Sequence, residues 1–453
     1  MKRCALCGEQ RPDGFWKPVR SGAQVRNAEA HELEERVGEN LAMILEEQLQ
    51  CRTEFMFGDI ATITMGTSPK GNTYNHEGTG LPLLNGPTEF GPVHPTCTLF
   101  TTDSKRECKK GDLIFCVRGS TTGRMNWADQ VYSLGRGVCS IRGETTLDTK
   151  YIKYCLDYKL EALLMRAGGG TFPNLTKGDI LTFPIPYPPH RRKIATVLSA
   201  YDDLIENNTR RITILEEMAQ LLYREWFVHF RFPGHEGVAM VDSELGPIPE
   251  GWKVVKLGAI ADINASSIRK DTAPERINYV NISSVSTGRI EEIEPMAFKD
   301  APSRARRIVK HGDIIWSTVR PNRKSYCLIL DPVSNMIVST GFAVITARKV
   351  PYTYLYHALT TDEFVAYLTN NATGAAYPAV NAGDFKNADV LLPPSRLLES
   401  FHTIVVDFFD EKQNLHRKND VLRRTRDLLL PRLISGEVGV SDLPIAAGGL
   451  DIT

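Results

Sequence analysis

No apolar run in this 453-residue sequence approaches the ~18–20 residues of a bilayer-spanning helix. The opening stretch MKRCALCGEQRPDGFW has no apolar block of the kind a secretory leader carries. These two absences argue against a membrane protein and lead to the expectation of a cytoplasmic one. Net charge is absent too: 54 Lys and Arg balance 54 Asp and Glu, so any nucleic-acid face must come from local clusters. The nine cysteines are odd in number, and Cys51, Cys97, Cys108, Cys116, Cys139, Cys155 and Cys327 follow no spacing. That pattern fits reduced thiols and no disulfide framework. Cys4 and Cys7 form a CxxC, half of a zinc site or simply two thiols of a tail; no second pair follows at finger spacing, so no metal is expected. The ten histidines are dispersed. There is no GxxxxGK[ST] phosphate loop, no HExxH and no GxSxG elbow. The (N/D)PP(Y/F) tetrapeptide of adenine methyltransferases is also missing, because Tyr187 and Leu392 precede the Pro-Pro pairs. No catalytic residue is therefore assigned, and the chain alone is expected to be non-catalytic.

What the sequence does contain, twice, is a long helical pattern. From Pro188 to Phe227, steps of four and three residues select Ile194, Leu198, Tyr201, Ile205, Asn208, Ile212, Leu215, Ala219, Leu222 and Trp226. From Pro393 to Leu433 the same steps select Leu397, Phe401, Ile404, Phe408, Glu411, Leu415, Lys418, Leu422, Thr425 and Leu429. This 3.5-residue period describes a coiled-coil seam, and two matching seams in one chain most simply bury each other. A helix of about 40 residues measures roughly 60 Å, which suits a spacer better than a core element. Asn208, Glu411 and Lys418 would be polar seam residues that fix register. The alternative is a pair of ordinary amphipathic helices belonging to two globular domains.

The rest of the chain repeats in step with the helices. FGDIATITMGTSPKGNTY from Phe57 matches LGAIADINASSIRKDTA from Leu257, and Leu84-Asn85-Gly86 matches Val280-Asn281-Ile282. KKGDLIFCVRGS from Lys109 matches KHGDIIWSTVRPN from Lys310, and RGVCSIRG matches TGFAVITAR. TFPNLTKGDI from Thr171 matches AYPAVNAGDF from Ala376. A repeat of about 200 residues is a duplicated domain plus helix, too long for a solenoid unit. The expected order is an N-terminal extension over 1–50 with a helical segment at Ala28–Gln50, a first domain over 51–187 and a helix over 188–229. A linker over 230–252, a second domain over 253–392, a helix over 393–433 and a loose tail over 434–453 follow. Gly111-Asp112 and Gly312-Asp313 read as tight turns feeding buried strands. Phe172-Pro173 and Tyr377-Pro378 read as loops braced against the helix bases.

Cations concentrate between Lys299 and Lys324, where Lys299, Arg304, Arg306, Arg307, Lys310, Arg320, Arg323 and Lys324 outnumber Asp300 and Asp313. The first copy offers Lys105, Arg106, Lys109, Lys110, Arg118 and Arg124 over the matching stretch. These read as phosphate-binding faces, or as solvated surface charge. Val117-Arg118 and Val319-Arg320 are matched as equivalent, which makes those arginines the first candidates for contact with base edges. Asn85 and Asn281 are weaker candidates, read as turn or strand-end residues.

These features together resemble the specificity subunit of Type I restriction-modification systems: two domains, each opening with (F/L)GxIAxI and each closing in a Pro-Pro long helix. IPYPPHRRKIATVLSAYDDLIENNTRRITILEEMAQLLYREWF and the run from LLPPSRLLESF to LLLPRLISGEV carry the likeness best, which spans Phe57 to Val438. The resemblance implies an α+β fold with two pseudo-symmetric target-recognition domains separated by two long antiparallel coiled-coil helices. It implies that each domain reads half of a bipartite site on double-stranded DNA, and that the helices set the unread spacing between the halves. It further implies docking of two methyltransferase subunits and of restriction/translocase subunits. S-adenosylmethionine, ATP and magnesium are expected in those partners and none in this chain. A subunit of a fused methylase-nuclease system and a coiled-coil scaffold without DNA are the alternatives.

Overall fold

The computed structural model describes residues 54–168, 173–269 and 273–440. The Cys4/Cys7 pair, the segment Ala28–Gln50, Phe172 and the end of the tail lie outside the described residues. The described residues form two compact units, one of those up to Glu206 together with those from Asp420, the other of those within Asn207–Asn419. Four helices organise them: α1 (Thr146–Leu164), α2 (Arg191–Tyr223), α3 (Tyr352–Ala358) and α4 (Ser395–Ile434). Each long helix, α2 and α4, contributes one part to each unit.

In the first unit, β1 (Ala61–Met65), β2 (Leu113–Cys116), β3 (Met125–Trp127) and β4 (Val138–Gly143) form an antiparallel sheet in the order β1-β4-β2-β3. Gly111 turns the chain at φ +87°, a region open to glycine, and sends the apolar run of β2 into the core. The buried Asp112 carboxylate locks that turn by accepting the Lys109 N–H at 2.9 Å and a fork of N–H groups from Arg142. A second, smaller sheet pairs Leu81–Leu84 in parallel with Ser133–Leu134. Helix α1 opens on a capping box formed by Thr145 and Asp148. It packs Tyr151, Ile152 and Leu156 with Phe115 and Ile141 of the sheet, with Ile194 and Leu198 of α2 and with Leu429 and Leu433 of α4.

The Asp148 side chain has no exposed surface and receives N–H groups of Arg191 and Arg192 at 2.8 Å each. Burial alone would raise its pKa. Hydrogen bonds from Arg192 and Thr145 and the charge of Arg191 outweigh that and hold it below the usual carboxylate range. The start of α2 is thereby clamped to α1.

The second unit repeats the arrangement with β5 (Ala261–Ile263), β6 (Asp313–Ser317), β7 (Tyr326–Leu328) and β8 (Phe342–Ala347), ordered β5-β8-β6-β7 and antiparallel throughout. Gly312 turns at φ +83°, and Asp313 accepts the Lys310 N–H at 2.8 Å. Its second partner is the Thr346 hydroxyl at 2.6 Å, at the place Arg142 holds in the first unit. The smaller sheet again contains a parallel pair, Arg276–Val280 beside Met336–Ser339. Tyr354 of α3 donates to the Leu391 carbonyl at 2.7 Å, as Tyr151 of α1 donates to Pro186 at 2.9 Å.

Within each unit α2 and α4 run antiparallel. In the first, Asp202 pairs with Arg426, and Ile194 and Leu198 share a core with Leu429 and Leu433. In the second, Asn208 bonds Asn419 at 2.9 Å, Arg211 bonds Glu411 at 2.7 Å, Glu216 bonds Lys412 at 2.6 Å, and Phe227 meets Phe401 edge-on. On α2 the expected seam residues Ile194, Leu198 and Ile212 are buried, and Tyr201, Ile205, Leu215 and Leu222 are half-buried. On α4 Phe401, Leu415 and Leu429 are buried, and Leu397, Phe408 and Leu422 are half-buried. The α4 reading is corrected by one residue at four positions, where Leu398, Val405, Asn419 and Arg426 face the pair in place of Leu397, Ile404, Lys418 and Thr425, while Glu411 and its neighbour Lys412 both bond to α2. Ile404 is 39% exposed whereas Val405 is fully buried. Apolar doublets at 397–398, 404–405 and 408–409 let either member carry the period, and polar residues hold the remaining true positions by bonding to α2.

Two other segments differ from their sequence reading. The linker is packed: Phe230 and Phe232 lie 5.4 and 5.5 Å from the Trp252 ring, and Met240–Val241 pairs with Ile248–Pro249. Past α4 the start of the tail is docked, with Val438 and Val440 buried in the first unit's core. Among the described residues the cysteines are unpaired, no group of side chains could hold a metal ion, and no helix is long and apolar enough to cross a membrane.

Candidate nucleic-acid interface

The five-residue strand β6 separates the cations of the second unit by roughly 17 Å at about 3.3 Å per residue. Lys310 stands exposed at its start, and Arg320 and Arg323 lie beyond its end. The cluster is therefore not one continuous face. Arg306 and Arg307 are half-buried on the strand Ala305–Ile308, with Arg306 over the Phe298 ring at 5.2 Å and Arg307 donating to the Ser267 hydroxyl at 3.2 Å. Burial lowers the pKa of Arg307. Lys324 is tied to Asp362 at 2.7 Å, and Lys299 is exposed.

What the fold does bring together is Arg304, Arg320 and Arg323, which line a cleft of about 540 Å³ with Asn281, Ser317 and Tyr377. The side-chain oxygen of Asn281 accepts the Ile282 N–H at 2.7 Å, which leaves its amide N–H groups for an acceptor. Ser317 is buried and donates to the Val319 carbonyl at 2.9 Å. The Arg320 guanidinium lies 4.6 Å over the Tyr377 ring and donates one N–H to the Ala376 carbonyl at 3.1 Å. Tyr377 is 69% exposed, so the Tyr-Pro unit is no brace buried against the helix. Sequence reasoning missed its place in the cleft because an aromatic before proline is the same signal whether the ring packs inward or stands out.

In the first unit Lys109 and Lys110 are exposed before β2, and Arg118 and Arg124 are exposed at its far end. Lys105 is exposed and paired with Asp103 at 2.8 Å; Arg106 is exposed. The backbone shows which positions of the two copies correspond. Val117 N–H bonds Gly137 and its carbonyl receives Leu175, just as Thr318 bonds Gly341 and receives Val380. Arg118 bridges Asn174 as Val319 bridges Ala379. Gly119 N–H bonds Pro173 as Arg320 N–H bonds Pro378. The two arginines are thus one residue out of step: Arg118 corresponds to Val319, and Arg320 corresponds to Gly119. The two copies run in step from the Gly-Asp turn to this point without an insertion; the Val-Arg dipeptide falls one residue later in the second copy and so suggests a false match. Asn85, half-buried, sits against Gly135, and a side chain on that glycine would strike it.

Residues 53–217 match the family model described as the Type I restriction modification DNA specificity domain. The MjaIX Type I restriction enzyme specificity subunit of Methanocaldococcus jannaschii is 25% identical over 410 residues, spanning 85% of this chain and 93% of the relative. The HindI specificity subunit of Haemophilus influenzae is 22% identical over 410 residues, covering 74% of this chain and 88% of that one. The crystal structure of the Type-I restriction-modification system S subunit from M. genitalium shares the fold, with a TM-score of 0.56 at 17% identity over 86% of this chain and 97% of that chain. Along most of its length this chain is therefore similar to Type I restriction enzyme specificity subunits, with the specificity-domain model matching its first copy and a second copy repeating the same strand order.

Proposed function

We propose that this chain is the DNA-reading subunit of a Type I restriction-modification assembly, with each domain contacting one half of a bipartite site and neither performing chemistry. The observation that carries this reading is the duplication: two domains with one strand order, each closed by the same buried tyrosine and each joined to the same two helices. Phosphate contacts from Lys109, Lys110 and Lys310 position the duplex, and the loops after β2 and β6 meet base edges. The number of residues in α2 and α4 sets the unread spacing.

The helices also carry exposed apolar side chains that no described residue of their own unit covers. On α2 and the turn after it, Ile214, Met218, Leu221 and Val228 follow helical spacing and are exposed. On α4, Val421 and Leu428 lie seven residues apart and are 61% and 67% exposed. Exposed apolar stripes of this kind mark protein interfaces. They are assigned to two methyltransferase subunits, which would use S-adenosylmethionine, with ATP and magnesium serving the restriction subunits.

Mapping methylated adenines across the genome of a host with and without the system tests the reading. The expected result is one motif in two unlike halves separated by a fixed number of arbitrary bases. A motif that persists after deletion of this gene alone would contradict it.

A further inference from the structure

We infer that Arg320, stacked on Tyr377, reads the acceptor edge of a guanine in one half-site and has no counterpart in the other domain. This deepens the DNA-reading role proposed above and rests on it. Three observations lead there. Arg320 adopts φ +52°, ψ +61°, a left-handed conformation that costs a non-glycine residue free energy; the first domain fills the same backbone position with Gly119 at φ +96°. An arginine kept where glycine fits without strain points to a use for its side chain. The guanidinium is also held in place by the Tyr377 ring beneath it and the Ala376 carbonyl at one N–H. Its other N–H groups remain available as a planar fork, which matches guanine O6 and N7.

The third observation is the polarity of the cleft. Arg304, Arg323 and the amide of Asn281 add donors, and among the described residues no carboxylate lines it. Cytosine N4 and adenine N6 are donors and would face a wall dominated by cations, whereas guanine presents two acceptors, O6 and N7, in the major groove to a two-pronged donor. Tyr377 is large, exposed and beside the fork, so it both orients Arg320 and limits the room around it.

The test uses the chain assembled with its methyltransferase partner and duplexes in which each base of the mapped motif is replaced in turn, including guanine by 7-deazaguanine. Arg320→Lys keeps the charge and loses the fork. It is expected to lower discrimination roughly 10- to 100-fold at a single guanine of one half-site. The other half-site and the salt dependence of binding should not change, and 7-deazaguanine at that position should cost the variant nothing further. Tyr377→Ala should weaken discrimination at the same position. If Arg320→Lys discriminates as the wild type does, while Arg320→Ala loses affinity at all sequences and its salt slope falls by about one, Arg320 is a phosphate clamp and the assignment is overturned. Absence of sequence-selective binding by the wild-type assembly would instead overturn the DNA-reading role, so the two failures are distinguishable.

Discussion

The two domains share a backbone plan but anchor it to the helices with different chemistry. In the first, the junction is ionic: Asp148 is buried beneath Arg191 and Arg192, and Tyr154 donates to Asp202, which Arg426 also holds. In the second, the place of Tyr154 is taken by His357, stacked between Tyr223 and Phe409 with its Nε2 buried and unpaired among the described residues. One architecture therefore tolerates a charged clamp in one copy and an aromatic cage in the other. What both keep is geometric: the Gly-Asp turn and the buried tyrosine bonded to the strand before Pro-Pro.

The sharpest break in that comparison is Asp148→Asn. Removing one partner of a buried ionic cluster leaves the other charges uncompensated, at a cost of about 3–5 kcal/mol. Thermal unfolding should show the first unit melting early while the second keeps its transition; a single unshifted transition would show that the clamp does not anchor α2.

His357 should distinguish the second junction by pH. Burial and the nearby charge of Lys412 lower its pKa from 6.5 to about 3, so the folded state keeps it neutral while the unfolded chain takes up a proton below about 6.5. Stability is full above that value and is lost as pH falls, at about 1.4 kcal/mol per unit. His357→Phe should flatten the dependence between pH 6 and 5, read from the unfolding midpoint at each pH. An unchanged slope would assign acid sensitivity elsewhere.

A smaller effect is expected at the polar layer of the helix pair. Replacing both Asn208 and Asn419 by leucine removes a buried hydrogen bond and adds apolar contact, so the midpoint should rise by a few degrees while register becomes less defined. Cross-linking between cysteines introduced on α2 and α4 would report it: one product in the parent, several in the double variant. A single product in both would deny the asparagines a register role.

Much of this was legible in the sequence because duplication repeats its own evidence. The helices, the Gly-Asp turns and the order of the copies could be read from matched motifs. The α4 seam was misread where Ile404 and Val405 offer the same hydrophobicity on adjacent faces and where Lys412, Asn419 and Arg426 carry the seam through bonds to α2 that no hydropathy pattern encodes. The false match of Arg118 with Arg320 has a similar origin: identity of a dipeptide outweighed register, which only the backbone partners Pro173 and Pro378 fix. Strand order in short sheets and the outward ring of Tyr377 depend on long-range contacts and left no local signal.

The central claim is that two reading domains are spaced by helices, and adding residues where the two units divide tests it most directly. Four residues inserted after Glu206 in α2 and four after Asn419 in α4 leave each unit's own helix contacts in place. They add about 6 Å of helix, somewhat under two base pairs at about 3.4 Å each. The methylated motif should keep both half-sites and gain one or two arbitrary bases between them; an unchanged spacing with both halves still read would contradict the account.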